Sequence, residues 1–441
     1  MNAAGGQMFK NYLDTLKQKE VFPEWNVKRF ALFSFVIFVV LIPITAYYNK
    51  WGDIDNYFGY ASDVVNGMMP YRDFGFEYPP LSIVFMTIPR LFSSDQSVYS
   101  VLQALFSFVF FAIGIYYVYK IAERNKSHNG RMFFLLLVTL LLANIFVISR
   151  NDIYPTVFCI MSFYYFFDKR YTASWILISF AVMTKMYPIF IAPVLFMPFL
   201  LNKDYKNLLK GVIVCIATCV LISLPFIISD SSTAFSYLTY HAGRGLQIES
   251  VASSFILFFN IFDPGLVTVF FGHGSDNIAG PIPDMIAPLM DYLIVAVLLL
   301  FFIWIFLRIR KMHGMYDPES VFRLSAVAGV AMLLIFISCC KVFSAQYVIW
   351  VMMLLIFTQF DCFDKRSRNM ILILTVIYGI FSMINGDFTY NHLTQLDTGA
   401  VLVIFIRNIL HLILLGAIIH LLIKETSLPS SDGIGKVDIV Y

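Results

Sequence analysis

Charged side chains are scarce in this sequence. Of its 441 residues, 13% are Asp, Glu, Lys or Arg, whereas 59% are apolar. A soluble domain carries about a quarter charged residues, so this chain has too few ionic groups to cover a water-soluble surface. Long apolar runs with few charges are instead what the core of a lipid bilayer requires. The composition therefore excludes a soluble enzyme, a nucleic-acid-binding protein and a disordered chain, and it predicts the lipid bilayer as a partner.

The sequence also lacks paired cysteines. Its six cysteines lie in or beside apolar runs, and their spacings fit neither a zinc site nor the disulfide framework of a small secreted domain. They therefore indicate neither a redox compartment nor a chemistry.

Long apolar runs, by contrast, are abundant. The first, residues 30–48, has no small-residue cleavage site after it, so it predicts a permanent spanning helix rather than a removable signal peptide. Further runs bring the count to about twelve. Several of them are shorter than the ~20 residues that cross a bilayer, and we expect these to be broken or packed-in helices. The pattern predicts an all-α polytopic membrane protein.

Two more apolar stretches, residues 81–92 and 251–271, would reverse the topology if they crossed. We interpret both as helices that lie at the outer interface or re-enter the membrane. The resulting organisation has three parts: a cytoplasmic N-terminal segment 1–29, a transmembrane domain 30–424 with a first outer loop at 49–97, and a cytoplasmic tail 425–441.

Basic residues give this topology a direction. With both termini in the cytoplasm, 23 of the 31 Lys and Arg residues lie on the cytoplasmic side and eight on the outer side. Short cytoplasmic loops are expected to hold the Lys and Arg residues of a membrane protein. The acids show the opposite bias, with 13 inside and 15 outside. The unusual carboxylates therefore gather on the extracytoplasmic side.

The first outer loop mixes acids with aromatic rings. It holds Asp53, Asp55, Asp73 and Glu77 among tyrosine, phenylalanine and tryptophan residues. Carboxylates bind sugar hydroxyl groups, aromatic planes pack on the C–H faces of a sugar ring, and a carboxylate can act as general base toward a hydroxyl. The alternative is that the acids are only solvated and that the aromatics form an interfacial belt.

Isolated cations stand at the outer ends of apolar segments. They are Arg150, Lys185 and Lys341. A cation at membrane depth is costly, so each predicts a functional role with a partner, and several converging cations would bind a lipid-linked phosphate. The alternative is that each cation pairs with a neighbouring carboxylate as a structural contact, as Arg150 could with Asp152.

A further outer loop, residues 241–250, adds His241, Arg244, Gln247 and Glu249. Its glycines allow the backbone to approach a ligand closely. Arg244 is the stronger candidate, because a guanidinium fork matches phosphate oxygens. His241 on its own is more typical of a surface or packing residue.

Taken together, these motifs resemble glycosyltransferase family 87 over residues 50–350. The elements that carry this resemblance are Asp53-Ile-Asp55-Asn-Tyr57, Glu77-Tyr-Pro-Pro, Arg150-Asn-Asp152, Lys185-Met-Tyr-Pro, Arg244-Gly-Leu-Gln-Ile-Glu-Ser and Lys341-Val-Phe-Ser-Ala-Gln-Tyr. That family belongs to the GT-C superfamily of membrane glycosyltransferases. It includes polyprenyl-phosphomannose-dependent alpha-1,2-mannosyltransferases of phosphatidylinositol mannoside synthesis.

The resemblance implies a GT-C fold of about twelve transmembrane helices plus two outer interfacial helices, in the plasma membrane. It implies transfer of mannose from a polyprenyl-phosphate sugar to a lipid or glycan acceptor, with inversion, and a base in the first outer loop. We assign that base to Asp53, with Asp55 in reserve. The implied donor phosphate ligands are Arg150, Lys185, Arg244 and Lys341. The implied substrate-binding residues are Tyr57, Arg72, Asp73, Glu77, Tyr78, Asp152, His241, Gln247, Glu249, Gln346 and Tyr347.

Three alternatives stay open at this stage. No cofactor is expected, but Asp53 and Asp55 could bracket a divalent metal, although two acids one residue apart are a thin signal. A polytopic transporter or a flippase for lipid-linked sugars would also show many helices and ionic residues at membrane depth. A lipid-linked glycan ligase or polymerase would share the architecture but devote larger outer loops to its polymer.

Overall fold

A computed structural model describes residues 53–124, 146–240, 243–311 and 318–427, together with Val36 and Thr139. The predicted N-terminal segment lies outside the described residues, as does the first predicted spanning helix apart from Val36. The same holds for His241 and for most of the predicted tail. The predictions made for those segments therefore stay predictions.

Six helices in these described ranges are long and apolar enough to cross a membrane. They are α3 (Gln96–Arg124), α7 (Tyr205–Ser229), α10 (Pro281–Lys311), α11 (Pro318–Cys339), α13 (Lys365–Met383) and α15 (Thr398–Glu425). Residues in α7 face mostly outward, whereas α11 is almost enclosed by its neighbours. An embedded helical protein is therefore confirmed, while the predicted number of twelve spanning helices is not tested.

Shorter apolar helices fill the interior, as the short runs predicted. They are α4 (Ile153–Phe167), α5 (Tyr171–Thr184), α6 (Pro193–Leu201) and α12 (Val348–Leu354). The last two belong to broken elements: a 3₁₀ turn Tyr187–Phe190 precedes α6, and 3₁₀ turns Ala345–Tyr347 and Leu355–Gln359 flank α12. Proline in the first turn lacks the N–H that a continuing helix would need, which explains the break before α6.

The first predicted outer loop folds into two short helices. α1 (Ile54–Val65) carries the first acids, and α2 (Ser82–Arg90) follows the pair Pro79 and Pro80. Rings from this loop pack together on α1, with Tyr57 almost completely buried. A helix in the 81–92 stretch is thus confirmed, and its position at the interface stays a prediction.

The second predicted interfacial helix is wrong in its length. α9 (Val251–Asn260) ends early, because Pro264 and Gly265 follow, and Gly265 takes a φ of 109° that favours glycine. The chain then forms β2 (Thr268–Gly272) and β3 (Ser275–Ala279). The turn between these strands is His273-Gly274, with φ values of 52° and 71°, as a two-residue hairpin with a right-handed strand twist requires.

These strands form a small antiparallel sheet with β1 (Leu246–Gln247), in the order β1-β3-β2. The fold is therefore helical with one short sheet rather than strictly all-α. The remaining helices among the described residues are α8 (Ser236–Tyr240) and α14 (Tyr390–Thr394), and a π-helical turn Ile384–Thr389 follows α13. The sheet holds the 243–250 segment against the turns that precede α12.

Candidate functional site

Asp53 lies immediately before α1, and its side chain forms an ion pair with Arg150. Tyr57, one helical turn later, donates a hydrogen bond from its hydroxyl to Asp53 Oδ2 at 3.3 Å. The backbone N–H of Asn151 donates in turn to the Tyr57 hydroxyl at 3.4 Å. The start of α1 is thereby attached to the turn that precedes α4.

Two opposing effects act on the pKa of Asp53. Burial raises it, but the charge of Arg150 and the hydrogen bond from it lower it further than burial raises it, so the pKa lies below its ordinary value. Lys185 and Tyr57 act in the same direction as Arg150. The carboxylate is thus ionised at neutral pH. With 28% of its side chain exposed, it is also within reach of a ligand.

Asp55 has a different environment. Its side chain is exposed and accepts a hydrogen bond from Gln96 Nε2 at 2.6 Å. Asp53 and Asp55 therefore have different partners, Arg150 and Gln96. Across the described ranges, no group of three or more His, Cys, Asp and Glu residues gathers in a metal-binding arrangement.

Asp152 forms a second ion pair close to the first. Lys185 Nζ lies 2.6 Å from Asp152 Oδ1, and Trp350 Nε1 donates to the same oxygen, also at 2.6 Å. Asp152 is fully buried. The suggested pairing of Arg150 with Asp152 is therefore wrong: Arg150 pairs with Asp53, and Asp152 pairs with Lys185.

An aromatic wall adjoins this pair. The Trp350 ring stacks on Tyr187 at a centroid distance of 4.0 Å and on Tyr347 at 3.6 Å. The ammonium of Lys185 lies 5.2 Å from the Trp350 ring centroid and 5.9 Å from that of Tyr347. The 3₁₀ turns Tyr187–Phe190 and Ala345–Tyr347 thus bring rings to one place, beside Asp152.

The turn formed by residues 150–152 has buried polar atoms without hydrogen-bond partners. Arg150 Nε, Asn151 Nδ2 and Asp152 Oδ2 are buried, and no hydrogen-bond partner for them lies within the described ranges. A buried polar atom without a partner costs about 1–3 kcal/mol, and such groups in a native fold call for an explanation. One acceptor and two donors in a row are the groups that a hydroxyl-rich ligand could use.

Glu77 interacts electrostatically with one residue of each ion pair, Asp53 and Lys185, and with Arg244. Burial raises its pKa, the charge of Asp53 raises it further, and Arg244 and Lys185 lower it by less. Tyr240 and Tyr78 are hydrogen-bonded to Glu77. Glu77 therefore stands near both signs of charge, as a site for a polar and anionic ligand requires.

Arg244 and Lys341 are held at the edge of this region. Arg244 donates from Nε to the His273 carbonyl at 3.1 Å, so the hairpin turn positions its guanidinium. Lys341 is nearly buried and pairs with Asp291 of α10, with Nζ 2.9 Å from Oδ2. All four predicted phosphate cations therefore have a resident acceptor: three have carboxylates, and Arg244 has a backbone carbonyl.

Gln247 and Glu249 belong to a buried network behind the site. Glu249 accepts hydrogen bonds from Gln247 Nε2 at 2.9 Å, from Asn385 Nδ2 at 2.6 Å and from Arg407 at 3.3 Å. Gln247 also accepts from the Phe343 backbone N–H at 2.6 Å. Both residues were predicted to bind substrate, but their side chains contact other residues of the protein. They join the β1 segment to the turns before α12.

The π-helical turn that supplies Asn385 requires a glycine next to it. A Cβ added to Gly386 would lie 2.7 Å from the Phe146 ring and 3.0 Å from the Ala345 side chain. π-helical turns are rare and often occur at functional sites. The close approach places Asn385 beside Glu249.

Arg72 and Asp73 are not brought to the cluster. They form an exposed pair, with Arg72 Nε 2.8 Å from Asp73 Oδ1, and Arg72 also donates to Ser229 at the end of α7. Gln346 is half-buried in its 3₁₀ turn, and Tyr78 packs edge-on against Tyr57 at 6.0 Å. The described cluster thus contains Tyr57, Tyr78, Glu77, Asp152 and Tyr347 from the predicted substrate residues.

Sequence reasoning missed three residues of this region: Trp350, Asn385 and Arg407. Arg407 had a signal, because it is an isolated cation in an otherwise apolar helix, and such residues are expected to have a partner. Trp350 and Asn385 had none, since a single tryptophan or asparagine in an apolar run does not indicate which acid it contacts.

Fold and site together define an integral membrane protein with an ionic and aromatic cluster joining α1, the turn before α4 and the broken helices. The sequence model of glycosyltransferase family 87 matches residues 76–336, more than half of the chain, and the chain belongs to that family. No curated protein and no solved structure matches it. It is a membrane glycosyltransferase, which implies a sugar donor and an acceptor. Glu77, Arg150, Lys185 and Arg244 lie within the matched range, whereas Asp53 and Lys341 lie outside it.

Proposed function

We propose that this protein transfers mannose from a polyprenyl-phosphate sugar to a lipid or glycan acceptor at the outer face of the plasma membrane. The observation that carries the proposal is the ionised, partly exposed carboxylate of Asp53 at the centre of a cluster of cations and rings. Membership of a glycosyltransferase family favours group transfer over the transporter and flippase alternatives.

Asp53 is the proposed general base. The acceptor hydroxyl attacks the anomeric carbon, the bond from that carbon to the phosphate oxygen breaks, and the Asp53 carboxylate takes the hydroxyl proton. Polyprenyl phosphate leaves as an anion, so it needs cations rather than a general acid. One displacement inverts the anomeric centre, and a beta-linked donor would therefore give an alpha-linked product.

The cations stabilise the negative charge of the leaving phosphate. Arg150 and Lys185 act electrostatically on Asp53, and Lys185 and Arg244 act on Glu77. Fixed cations that stabilise a developing charge are among the strongest catalytic contributions. The stacked rings of Tyr187, Trp350 and Tyr347 offer a plane for the C–H face of a sugar. The unpartnered atoms of residues 150–152 would bind its hydroxyl groups.

The orientation is also a proposal. The distribution of basic residues favours both termini in the cytoplasm, which would put α1 and the 243–250 segment outside. A pH-sensitive fluorescent reporter joined after Ser427 should remain shielded from an acidified medium in intact cells. A reporter that responds to the medium would reverse the assignment.

The test of the reaction uses the purified full chain with labelled polyprenyl-phosphate mannose and a panel of lipid acceptors. The expected product is a mannosylated acceptor that an alpha-specific mannosidase cleaves. Reconstituted vesicles that move the labelled lipid without forming a glycoside would instead establish a flippase, and transfer from a nucleotide sugar alone would exclude the polyprenyl donor. Reactions with and without a chelator decide whether a divalent metal takes part.

A further inference from the structure

Asp291 occupies an unusual position on α10. Its side chain is 50% exposed, and its neighbours Leu289, Tyr292 and Leu293 are exposed and apolar or aromatic. α10 has an apolar, largely outward-facing surface and no charged residue between Asp291 and Arg308. A carboxylate on such a surface is costly in lipid and is expected to have both a partner and a function.

The spacing between Asp291 and Arg308 suits a helix that crosses the hydrocarbon core. Arg308 is seventeen positions after Asp291, which at 1.5 Å per residue corresponds to about 26 Å along the helix. The hydrocarbon core of a bilayer is about 30 Å thick. With the basic end of α10 at one border, Asp291 lies near the opposite border, where headgroup phosphates lie and where an exposed tyrosine such as Tyr292 is typical.

The partner of Asp291 is a cation of the proposed donor site. Lys341 is only 6% exposed, yet its ammonium reaches Asp291 Oδ2 at 2.9 Å. Cys340 interacts electrostatically with Arg244, Lys341 and Asp291. The Lys341–Asp291 pair is therefore close to Arg244. The pair therefore stands between the lipid-facing side of α10 and the cation cluster.

We propose that Asp291 is the resident counter-ion of Lys341 and that the phosphate of a polyprenyl lipid arriving from the bilayer displaces it. The lipid would enter sideways past α10, exchanging one anion for another at Lys341. This inference rests on the proposed function, since it deepens how the same site takes its donor. It assigns to Asp291 a positioning role and not a part in the chemistry.

Ion-pair energetics support an exchange rather than a permanent contact. A pair with one half-exposed partner is weaker than a fully buried pair, so a phosphate with several acceptor oxygens can compete for the lysine. In the bound state the displaced carboxylate turns outward into the headgroup layer. A buried carboxylate would be far harder to displace, as Asp152 beside Lys185 illustrates.

The test compares Asp291→Asn with the wild type, using the full chain in lipid nanodiscs. Because the competing anion is removed, the donor KM is expected to fall by up to about fivefold. Polyprenyl monophosphate, added alone, should raise the unfolding temperature of the variant more than that of the wild type. Asp284→Asn, an exposed acid near the start of the same helix, is the matched control and should change neither quantity.

Two results would overturn the inference. The first is an unchanged or raised donor KM in Asp291→Asn together with a lower unfolding temperature, which would make the pair a structural contact. The second is an equal gain in the double variant Asp291→Asn/Lys341→Gln, because the effect must act through Lys341. Asp291→Ser replaces Asp291→Asn if the latter does not fold.

The lipid-binding arm separates this inference from the proposed function. If the protein transfers no sugar but polyprenyl monophosphate still stabilises Asp291→Asn more than the wild type, the inference stands and the reaction falls. If transfer occurs and the variant shows no gain, the reaction stands and the inference falls.

Discussion

Arg150 and Asp53 form an ion pair that links the turn before α4 to the first residue of the α1 region. This pair keeps the proposed base ionised but reduces its affinity for a proton, because its pKa is lowered. A donor phosphate that engages Arg150 would withdraw this counter-charge. Asp53 would then become a stronger base only when the donor is bound, which would couple donor binding to activation of the acceptor.

The two first-loop acids should differ sharply in activity. Asp53→Asn is expected to reduce transfer by about 10²-fold to 10⁴-fold, the usual contribution of a general base. Asp55→Asn should remain close to wild type, because its exposed side chain contacts Gln96 and not the cluster. Initial rates with labelled donor measure both, and the unfolding temperature corrects for misfolded protein. Near-normal transfer by Asp53→Asn with loss in Asp55→Asn would exchange the two assignments.

Glu77 should make stability depend on pH. Burial raises its pKa above the unfolded value of 4.5, and Asp53 adds to the rise. The stabilising effect of its protonated form is therefore fully present below pH 4.5 and is lost as the pH rises through the folded pKa. Glu77→Gln should gain unfolding temperature relative to wild type at pH 7 and lose that gain near pH 4.

Asp53 provides the opposite sign for comparison. Its folded pKa is lowered, so its contribution to stability is present at neutral pH and is lost only as the pH falls through that lowered value.

The exposed Asp263 serves as the control acid for Glu77→Gln. An equal gain for Asp263→Asn, or a gain for Glu77→Gln that is the same at both pH values, would contradict the prediction.

Much of the fold could be predicted because spanning and interior helices depend on apolar runs that are visible in the sequence. The interior helices Ile153–Phe167 and Tyr171–Thr184 each coincide with one such run. The prediction for the 251–271 stretch failed because the stretch is predominantly apolar, and apolarity does not separate a short buried helix from a strand. Its break signals, Pro264-Gly265 and the turn His273-Gly274, are local and were outweighed by the length of the run.

The sequence pointed to several charged residues of the candidate site but not to the pairs that they form. Charge scarcity pointed to Arg150, Lys185 and Lys341, because a cation in an apolar sequence stands out. Their partners could not be predicted, since the packing of α1 and α10 decides which carboxylate reaches which cation. Arg150 illustrates this: Asp152 is two residues away in sequence, yet the contact is with Asp53.

Asp152 should couple energetically to Trp350. Asp152→Asn leaves Lys185 without its counter-ion, and breaking a buried pair costs about 3–5 kcal/mol. Trp350→Phe keeps a ring but removes the hydrogen bond to Asp152 Oδ1, at a cost of about 1–3 kcal/mol. Because both changes act on the same oxygen, the double variant should be less destabilised than the sum of the two, as measured by unfolding free energies in a detergent mixture. Strict additivity would show that the two contacts are independent.

We expect Arg407 to hold the Glu249 segment and the turn after Lys341 in position. It is fully buried, and its NH2 group donates to the backbone carbonyls of Glu249 at 2.7 Å and Phe343 at 3.2 Å, while its guanidinium lies 4.0 Å from the Phe343 ring centroid. Lysine has no planar fork, so Arg407→Lys should lose most of these contacts. Arg407→Met leaves the carboxylate of Glu249 buried without a counter-ion and should cost about 3–5 kcal/mol.

A compensating variant separates positioning from charge balance. Arg407→Met/Glu249→Gln removes both charges, so it should recover part of the unfolding free energy that Arg407→Met loses. The donor KM of both variants should nevertheless be higher than that of the wild type, because both lack the contacts from Arg407 that join the Glu249 segment to the turn after Lys341. Recovery of stability together with a wild-type KM would limit Arg407 to a structural role. A double variant as unstable as Arg407→Met would show that the ion pair is not what holds the segment.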